Sequence, residues 1–502
     1  MKNEIFSKLY AQYNLDDFVT MDSVTSPEKK DELQQEGFLV GMTKEDWDSR
    51  YPSIPAEKII CIRSTFFPME LMYYDKSKGI LFRAVSPWME ESGFTTPTTE
   101  ETLLNRIREM EAFFNAKEYS KMLLSMYSEG SGNISMRLIE NIYDAVGASP
   151  ELYKAFIDNY SMCDCGATLI GKRKQMLADL FNAKSVKQKK ETAKKLSDLP
   201  DDITVYRGEG SKSTKTAQAI SWTTDINIAY RFASWRETDG SGRIITGVVK
   251  KEDVKEALND RNESELLIFG EDVSIESTDL CYGMEDFRNA LATEFEDKDL
   301  GQVGDKYFGT SIVQMMNSEL GKIIRKQNSD HPTDHTIRVA LMASAMYRLD
   351  EMEKAESNPN AFSRRQIKLI AKYYDKLMMS AIWHDAARTH DGVDTTHGEE
   401  GYQLWAKKHK KQDIAMKIIM AGHCLPDEKI IRMANEAAPQ LSSDFEKDLL
   451  IRTSFLLKDA DALDRWRFGT LSGDMVDVRY LRTKTAKMMM PVACMLQTYQ
   501  FR

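Results

Sequence analysis

Histidine is missing from the first 330 residues, and all seven lie between His331 and His423. A long N-terminal stretch without it excludes histidine-based metal binding or proton transfer there. Cysteine is also sparse: Cys61, Cys163, Cys165, Cys281, Cys424 and Cys494 are scattered, which excludes a disulfide framework and fits a reducing compartment. Cys163-Asp164-Cys165 is the only close pair, and it has no second pair or nearby histidine to complete a zinc site. No apolar run reaches the length of a membrane span; the longest candidate, 488–496, is short and carries Pro491. The start, Met1-Lys2-Asn3-Glu4-Ile5-Phe6, lacks the basic-then-apolar order of a secretory signal. Synthesis in a cytoplasm is therefore expected, with export by a signal-independent route left open. Positive charge is not in surplus either. A formal charge of −10 argues against nucleic acid or an anionic membrane as a partner.

What is present describes a globular chain long enough for several domains, 502 residues with 42% hydrophobic content. Residues 1–95 read as α+β, with β-rich runs at 58–63 and 79–85 and a strand entering a turn at 72–79. No catalytic constellation appears there. From Thr99 to Leu196 the spacing predicts helices, one of them broken at 128–133, with later ones over 136–146 and 150–160. A last helix is expected over 171–196, carrying nine Lys/Arg against two acids. It reads as a solvated face in preference to an anion-binding one. Short strands are then expected at 203–206, 219–223, 243–249 and 266–269, with a helix at 226–235 inside the series. Residues 280–320 read as a helical bridge, and 321–482 as helical throughout.

Three short elements in the middle stretch carry chemistry. Val205-Tyr206-Arg207-Gly208 puts an arginine at a strand end. Ile220-Ser221-Trp222-Thr223 places two hydroxyls on one strand face. Glu263-Ser264-Glu265-Leu266-Leu267 spaces two acids so that, on a strand, both share a face despite their repulsion. Each alone reads as an ordinary surface feature; their order is less ordinary. Together, over about 199–280, they resemble the arginine–serine–glutamate class of mono-ADP-ribosyltransferases, and their surroundings look like phage and bacterial members. That resemblance implies a split β-sandwich that takes NAD. It implies Arg207 on the NAD phosphates and ribose, Ser221 holding the catalytic Glu265, Thr223 beside them at the cofactor, and Glu265 on the nicotinamide ribose. Glu263 would orient the acceptor, in the form associated with arginine acceptors. The lack of histidine before His331 sets aside the rival class, which uses one in place of the arginine.

In the histidine field, Asp334-His335 opens an apolar helix, Trp383-His384-Asp385 closes another, and Asp459 and Asp461 lie on a third. Histidine, His-Asp and a distant aspartate in that order resemble the HD phosphohydrolase superfamily over 321–482. The resemblance implies a helical bundle with His335, His384, Asp385 and Asp461 as ligands of a divalent metal, Asp459 being the alternative to Asp461. His397, entered through the capping pattern Thr396-x-x-Glu399, and His423, at a helix end, match positions used for a second metal or for phosphate. His390 and His409 fit no motif and read as surface residues. His331-x-x-x-His335 with His384-Asp385-Ala386-Ala387-Arg388 is also similar to the phosphodiesterase of the SidE effectors, which act on ubiquitin. On that likeness His331 is a nucleophile candidate; its plainer role is a helix cap.

The expected class is thus multidomain α+β: 1–95 of unassigned role, 96–198 helical, 199–285 transferase-like, 286–320 bridging and 321–502 an all-α HD-type domain. The expected activity is a bifunctional enzyme, an effector or toxin joining NAD-dependent mono-ADP-ribosylation of a protein to a metal-dependent phosphodiesterase acting on ADP-ribosyl or nucleotide product. The alternative is an HD nucleotide hydrolase whose transferase-like part only binds NAD or a nucleotide.

Overall fold

The computed structural model describes residues 15, 17–63, 71–126, 132–160, 169, 171–211, 213–235, 242–259, 262–291, 319, 333–352, 354, 357–389, 393–468 and 476–497. His331, His390 and the Cys163/Cys165 pair lie outside them, as does most of the 286–320 bridge. The chain forms two compact units: residues 1–203, 214–222 and 248–274 make the first, and residues 204–213, 223–247 and 275–502 the second. Segments of the 199–285 stretch are thus shared out between them. Ten strands are described: β1 (Phe18–Thr20), β2 (Ile59–Ile62), β3 (Leu71–Asp75), β4 (Ile80–Val85), β5 (Asp202–Glu209), β6 (Ser221–Thr223), β7 (Arg243–Lys250), β8 (Glu256–Leu258), β9 (Glu265–Leu267) and β10 (Ser274–Leu280).

In the first unit, β1 to β4 form an antiparallel sheet in chain order. Ile60 faces Met72 and Tyr73 faces Phe82. Strands β2 and β3 are buried on both faces, which is why they read as unbroken apolar runs. The β3–β4 turn ends at Gly79, whose φ of +63° and whose missing Cβ, 2.7 Å from Leu138 O, admit only glycine without strain. The Glu100–Asn115 and Tyr119–Met126 helices are parted at Lys117, in the left-handed region with φ 59°. The break expected at 128–133 lies mostly outside the described residues. The helix expected over 171–196 is two, Lys172–Asn182 and Val186–Leu196, because Ser185 and Gln188 form a reciprocal capping box between them. Its basic side chains are largely ion-paired, Lys174 with Glu271 and both Lys184 and Lys195 with Glu256.

Within the second unit, Tyr206 of β5 pairs with Thr223, the last residue of β6. The Ile226–Trp235 helix matches its expected bounds. Its backbone presses on β5 at Gly208, where any Cβ would sit 1.7 Å from Ala229 O. Most of β10 and part of β7 also belong to this unit, and its described α-helices from Thr333 onward are Thr333–Tyr347, Arg364–Trp383, His397–His409, Ile414–Gly422, Asp427–Ala437, Asp444–Leu463, Lys484–Met488 and Met490–Leu496. Tyr347, Tyr373, Leu449 and Leu457 are fully buried at its core. Each stabilises the bundle by about 1.5–3 kcal/mol, more than intrinsic helix propensity supplies. No described helix is long and apolar enough to cross a membrane.

Candidate metal centre and a buried carboxylate

Four histidines converge from the ends of helices rather than their faces. His335 lies in the first turn of Thr333–Tyr347, and His397 is the first residue of His397–His409. His384 and His423 cap the C-termini of Arg364–Trp383 and Ile414–Gly422. Glycines allow the ends to meet. A Cβ on Gly398 would lie 2.4 Å from Met420 O, and one on Gly401 would lie 2.8 Å from Trp383 O. All four imidazoles are at most 5% exposed.

Main-chain carbonyls aim two of the rings inward. His384 Nδ1 lies 2.7 Å from Ala381 O and His423 Nδ1 lies 2.6 Å from Met420 O, so each Nδ1–H donates to its own helix. The Nε2 atoms then face the centre. His335 Nε2 is 3.4 Å from Asp461 Oδ1 and 3.5 Å from Asp385 Oδ2, and His384 Nε2 is 3.8 and 3.6 Å from the same two oxygens. On the other side, Asp385 Oδ1 is 3.3 Å from His397 Nε2 and 3.5 Å from His423 Nε2, which are 2.8 Å apart. The donors thus form two subsites with Asp385 between them. His384 Nε2 is buried with no hydrogen-bond partner among the described residues. Ligand bonds of about 2.1 Å place tetrahedral or octahedral donors roughly 3.0–3.4 Å apart. The observed spacings are close to that, and imidazole with carboxylate suits a first-row divalent ion. His335, His384 and Asp461, and separately His384, Asp385 and His423, make groups able to hold a cation. The residues present fit a metal.

Burial and neighbouring charge compete at these groups. Burial works to lower the pKa of His384, but Asp385 and Asp461 outweigh it and raise the value to about 9. His423 goes the other way, burial dominating. Burial opposes ionisation of Asp461, yet His384 and His335 hold its carboxyl well below the usual range. Asp459, the alternative ligand, is fully buried elsewhere: it accepts from the Arg482 and Thr483 main-chain N–H groups at 2.9–3.0 Å and from Arg482 Nη1 at 3.1 Å. It is a clamp on the chain, and Asp461 is the residue at the centre.

Other expectations are corrected. The Thr396–Glu399 capping box does not form. Thr396 has helical backbone angles, and Asp394 Oδ1 instead accepts from the Thr396 and His397 main-chain N–H groups. His409 is half-buried rather than freely exposed: it stacks on Trp405 at 5.2 Å, meets Trp383 edge-on and lies 3.3 Å from Glu319. Sequence reading also missed Asp464, which holds His335 Nδ1 at 2.7 Å.

Of the transferase-like residues, Ser221, Glu263 and Glu265 belong to the first unit, and Arg207 and Thr223 to the second. Hydrogen bonds from Ile268 N to Ile220 O and from Gly270 N to Ala219 O fix β9 beside β6. Ser221 Oγ donates to Glu265 Oε1, and the Tyr160 hydroxyl donates to the same oxygen at 3.3 Å. Glu265 opens β9, but Glu263 precedes the strand in a turn where Asn262 and Ser264 have φ of 54° and 46°. The two acids are therefore not strand neighbours on one face, although both are buried. In the second unit Arg207 Nε donates to Glu209 Oε1 at 2.8 Å, and Arg243 grips Glu209 Oε2 at 2.7 and 3.0 Å. Thr223 Oγ1 accepts from Asp225 N at 3.0 Å. The partners Tyr160, Glu209 and Arg243 carried no motif by which to find them. Compared with known proteins, the chain matches no family model, no curated protein and no solved structure.

Proposed function

We propose that the second unit is a metal-dependent phosphodiesterase or phosphohydrolase. The observation that supports this is the buried convergence of four imidazoles on Asp385 and Asp461. His335, His384, Asp385 and Asp461 would hold one divalent ion, and His397, His423 and the other oxygen of Asp385 a second. Such ions supply Lewis acidity to a phosphoryl oxygen and activate water at neutral pH. The chain's own part is to fix the donors: helix-end carbonyls set the tautomers of His384 and His423, and burial keeps bulk water from competing with substrate.

The test is metal analysis of the purified protein, followed by hydrolysis of bis(p-nitrophenyl) phosphate and ADP-ribose. Wild type is expected to hold one to two equivalents of cation, and Asp385→Asn, which touches both subsites, neither cation nor activity. A wild-type protein that neither retains nor binds divalent metal sinks the reading and favours a histidine-driven route of the SidE kind, with His331 as nucleophile.

A second reading concerns Glu265, and the Ser221–Glu265 hydrogen bond favours it. We propose that this carboxylate serves mono-ADP-ribosyl transfer from NAD to a protein, with an arginine acceptor oriented by Glu263. A fixed carboxylate stabilises positive charge growing at the sugar carbon as nicotinamide departs. Labelled NAD incubated with a lysate is expected to mark protein with wild type and not with Glu265→Ala. Label transfer that survives Glu265→Ala rules it out. If Asp385→Asn changes the size of the labelled product, the phosphodiesterase acts on it; ubiquitin as the labelled species would extend the SidE likeness.

A further inference from the structure

We infer that Asp464 is a positioning residue for the metal centre: it fixes His335 so that Nε2, and not Nδ1, faces Asp461 and Asp385. This rests on the metal reading proposed above. Asp464 follows directly on the Asp444–Leu463 helix, three residues past Asp461, and is fully buried. Its Oδ2 lies 2.7 Å from His335 Nδ1, and five donated bonds converge on the carboxylate in all. Arg338 gives Nε to Oδ1 at 2.5 Å and Nη2 to Oδ2 at 3.1 Å. Arg467 Nη1 reaches Oδ2 at 3.3 Å and also lies 3.2 Å from His335 Nδ1, and Gln497 Nε2 reaches Oδ1 at 3.1 Å.

A buried carboxylate is costly unless paired and hydrogen-bonded, and here both conditions hold. Arg338 stands on the same helix as His335, one turn on, so the arginine and the histidine grip one carboxylate from one face. The carboxylate therefore cannot turn away from the ring. Of the four inward histidines, His384 and His423 take their orientation from main-chain carbonyls of their own helices. His335 opens its helix and has no carbonyl three residues back within it, so a side chain must do the same work. Asp464 supplies it. A carboxylate in this place also raises the basicity of the imidazole it holds, and losing such a partner weakens metal affinity about 10–100-fold.

The test uses the full chain. Zn²⁺ is titrated against a chromogenic chelator for wild type and Asp464→Asn, with the melting temperature of each metal-free protein recorded. The expected result is a 10–100-fold weaker binding step for the subsite containing His335, with the His397/His423 step unchanged. A residue that serves stability alone would lower the melting temperature and leave both steps as they were; that outcome overturns the inference while the metal reading stands. Wild type that binds no Zn²⁺ removes both. Should Asp464→Asn fail to fold, histidine-labelled wild type decides by NMR: in the Zn²⁺-loaded protein His335 is expected to carry a slowly exchanging proton on Nδ1. A proton found on Nε2 refutes the assignment.

Discussion

Glu256→Gln is the most informative single change in the first unit, because it probes the scaffold behind Glu265 without touching it. Glu256 lies on β8 opposite Leu267, and Leu258 on the same strand lies opposite Glu265. Its carboxylate, 3% exposed, accepts hydrogen bonds from Tyr153, Thr192 (2.7 Å), Lys184 (3.0 Å) and Lys195 (3.1 Å). Burial pushes its pKa up, but the Tyr153 and Thr192 hydroxyls and the Lys184 charge overcome that and bring it from 4.5 to about 2. Lys184 responds oppositely, its pKa lowered because burial outweighs the charge of Glu256. The stabilisation therefore resides in the bonds the carboxylate receives, and the lysine's effect falls on the alkaline side. A depression from 4.5 to about 2, at roughly 1.4 kcal/mol per pH unit, corresponds to at most about 3.5 kcal/mol, and partial solvent screening brings it nearer 3. The folded-state pKa is the lower one. The stabilisation is thus complete above pH 4.5 and lost as pH falls towards about 2. Hydrogen exchange read by mass spectrometry on peptides covering 254–269 measures the local opening free energy. Glu256→Gln is expected to lower it by about 3 kcal/mol at pH 7, with the gap to wild type narrowing between pH 4.5 and 2. A gap that is absent at pH 7, or unchanged across that window, refutes the reasoning.

Three further outcomes are expected. Asp459→Ala strands the Arg482 and Thr483 donors and should cost about 3–5 kcal/mol in urea unfolding, with the metal bound per folded molecule unchanged. Asp461→Asn should do the reverse, losing one cation by metal analysis with little change in the unfolding midpoint of the metal-free protein. Gly208→Ala, forced against Ala229 O, should destabilise the second unit by about 3 kcal/mol or more, seen as a lower melting temperature; an unchanged melt would mean β5 and the Ile226–Trp235 helix do not pack as described.

How much of this was legible in the chain varied with the range of the interaction. The Ile226–Trp235 and Pro150–Tyr160 helices were readable to the residue because a local apolar period and a proline start define them. His335, His384-Asp385 and Asp461 stood out because rare residue types sit at helix ends. Asp464 was invisible: it is one more acid in an Asp-rich helix end, and its partner His335 is 129 residues away. The Glu256 cluster was hidden for the same reason, since Tyr153 and Lys184 reach it across 103 and 72 residues. The strand-face reading of Glu263 and Glu265 failed because two left-handed residues, Asn262 and Ser264, bend the chain before the strand begins. The Thr396–Glu399 pattern failed because Asp394, two residues earlier, takes the main-chain donors first.

The glycine-mediated meeting of helix ends has a thermodynamic consequence. His384 and His423 are each tethered to a carbonyl in the final turn of their own helix. If either last turn frays, the ring swings with it and a donor leaves the centre. Fraying and ligand loss are then a single equilibrium, and a bound cation would suppress both by mass action. The loosest parts of ordinary helices would become, on loading, the tightest parts of this one.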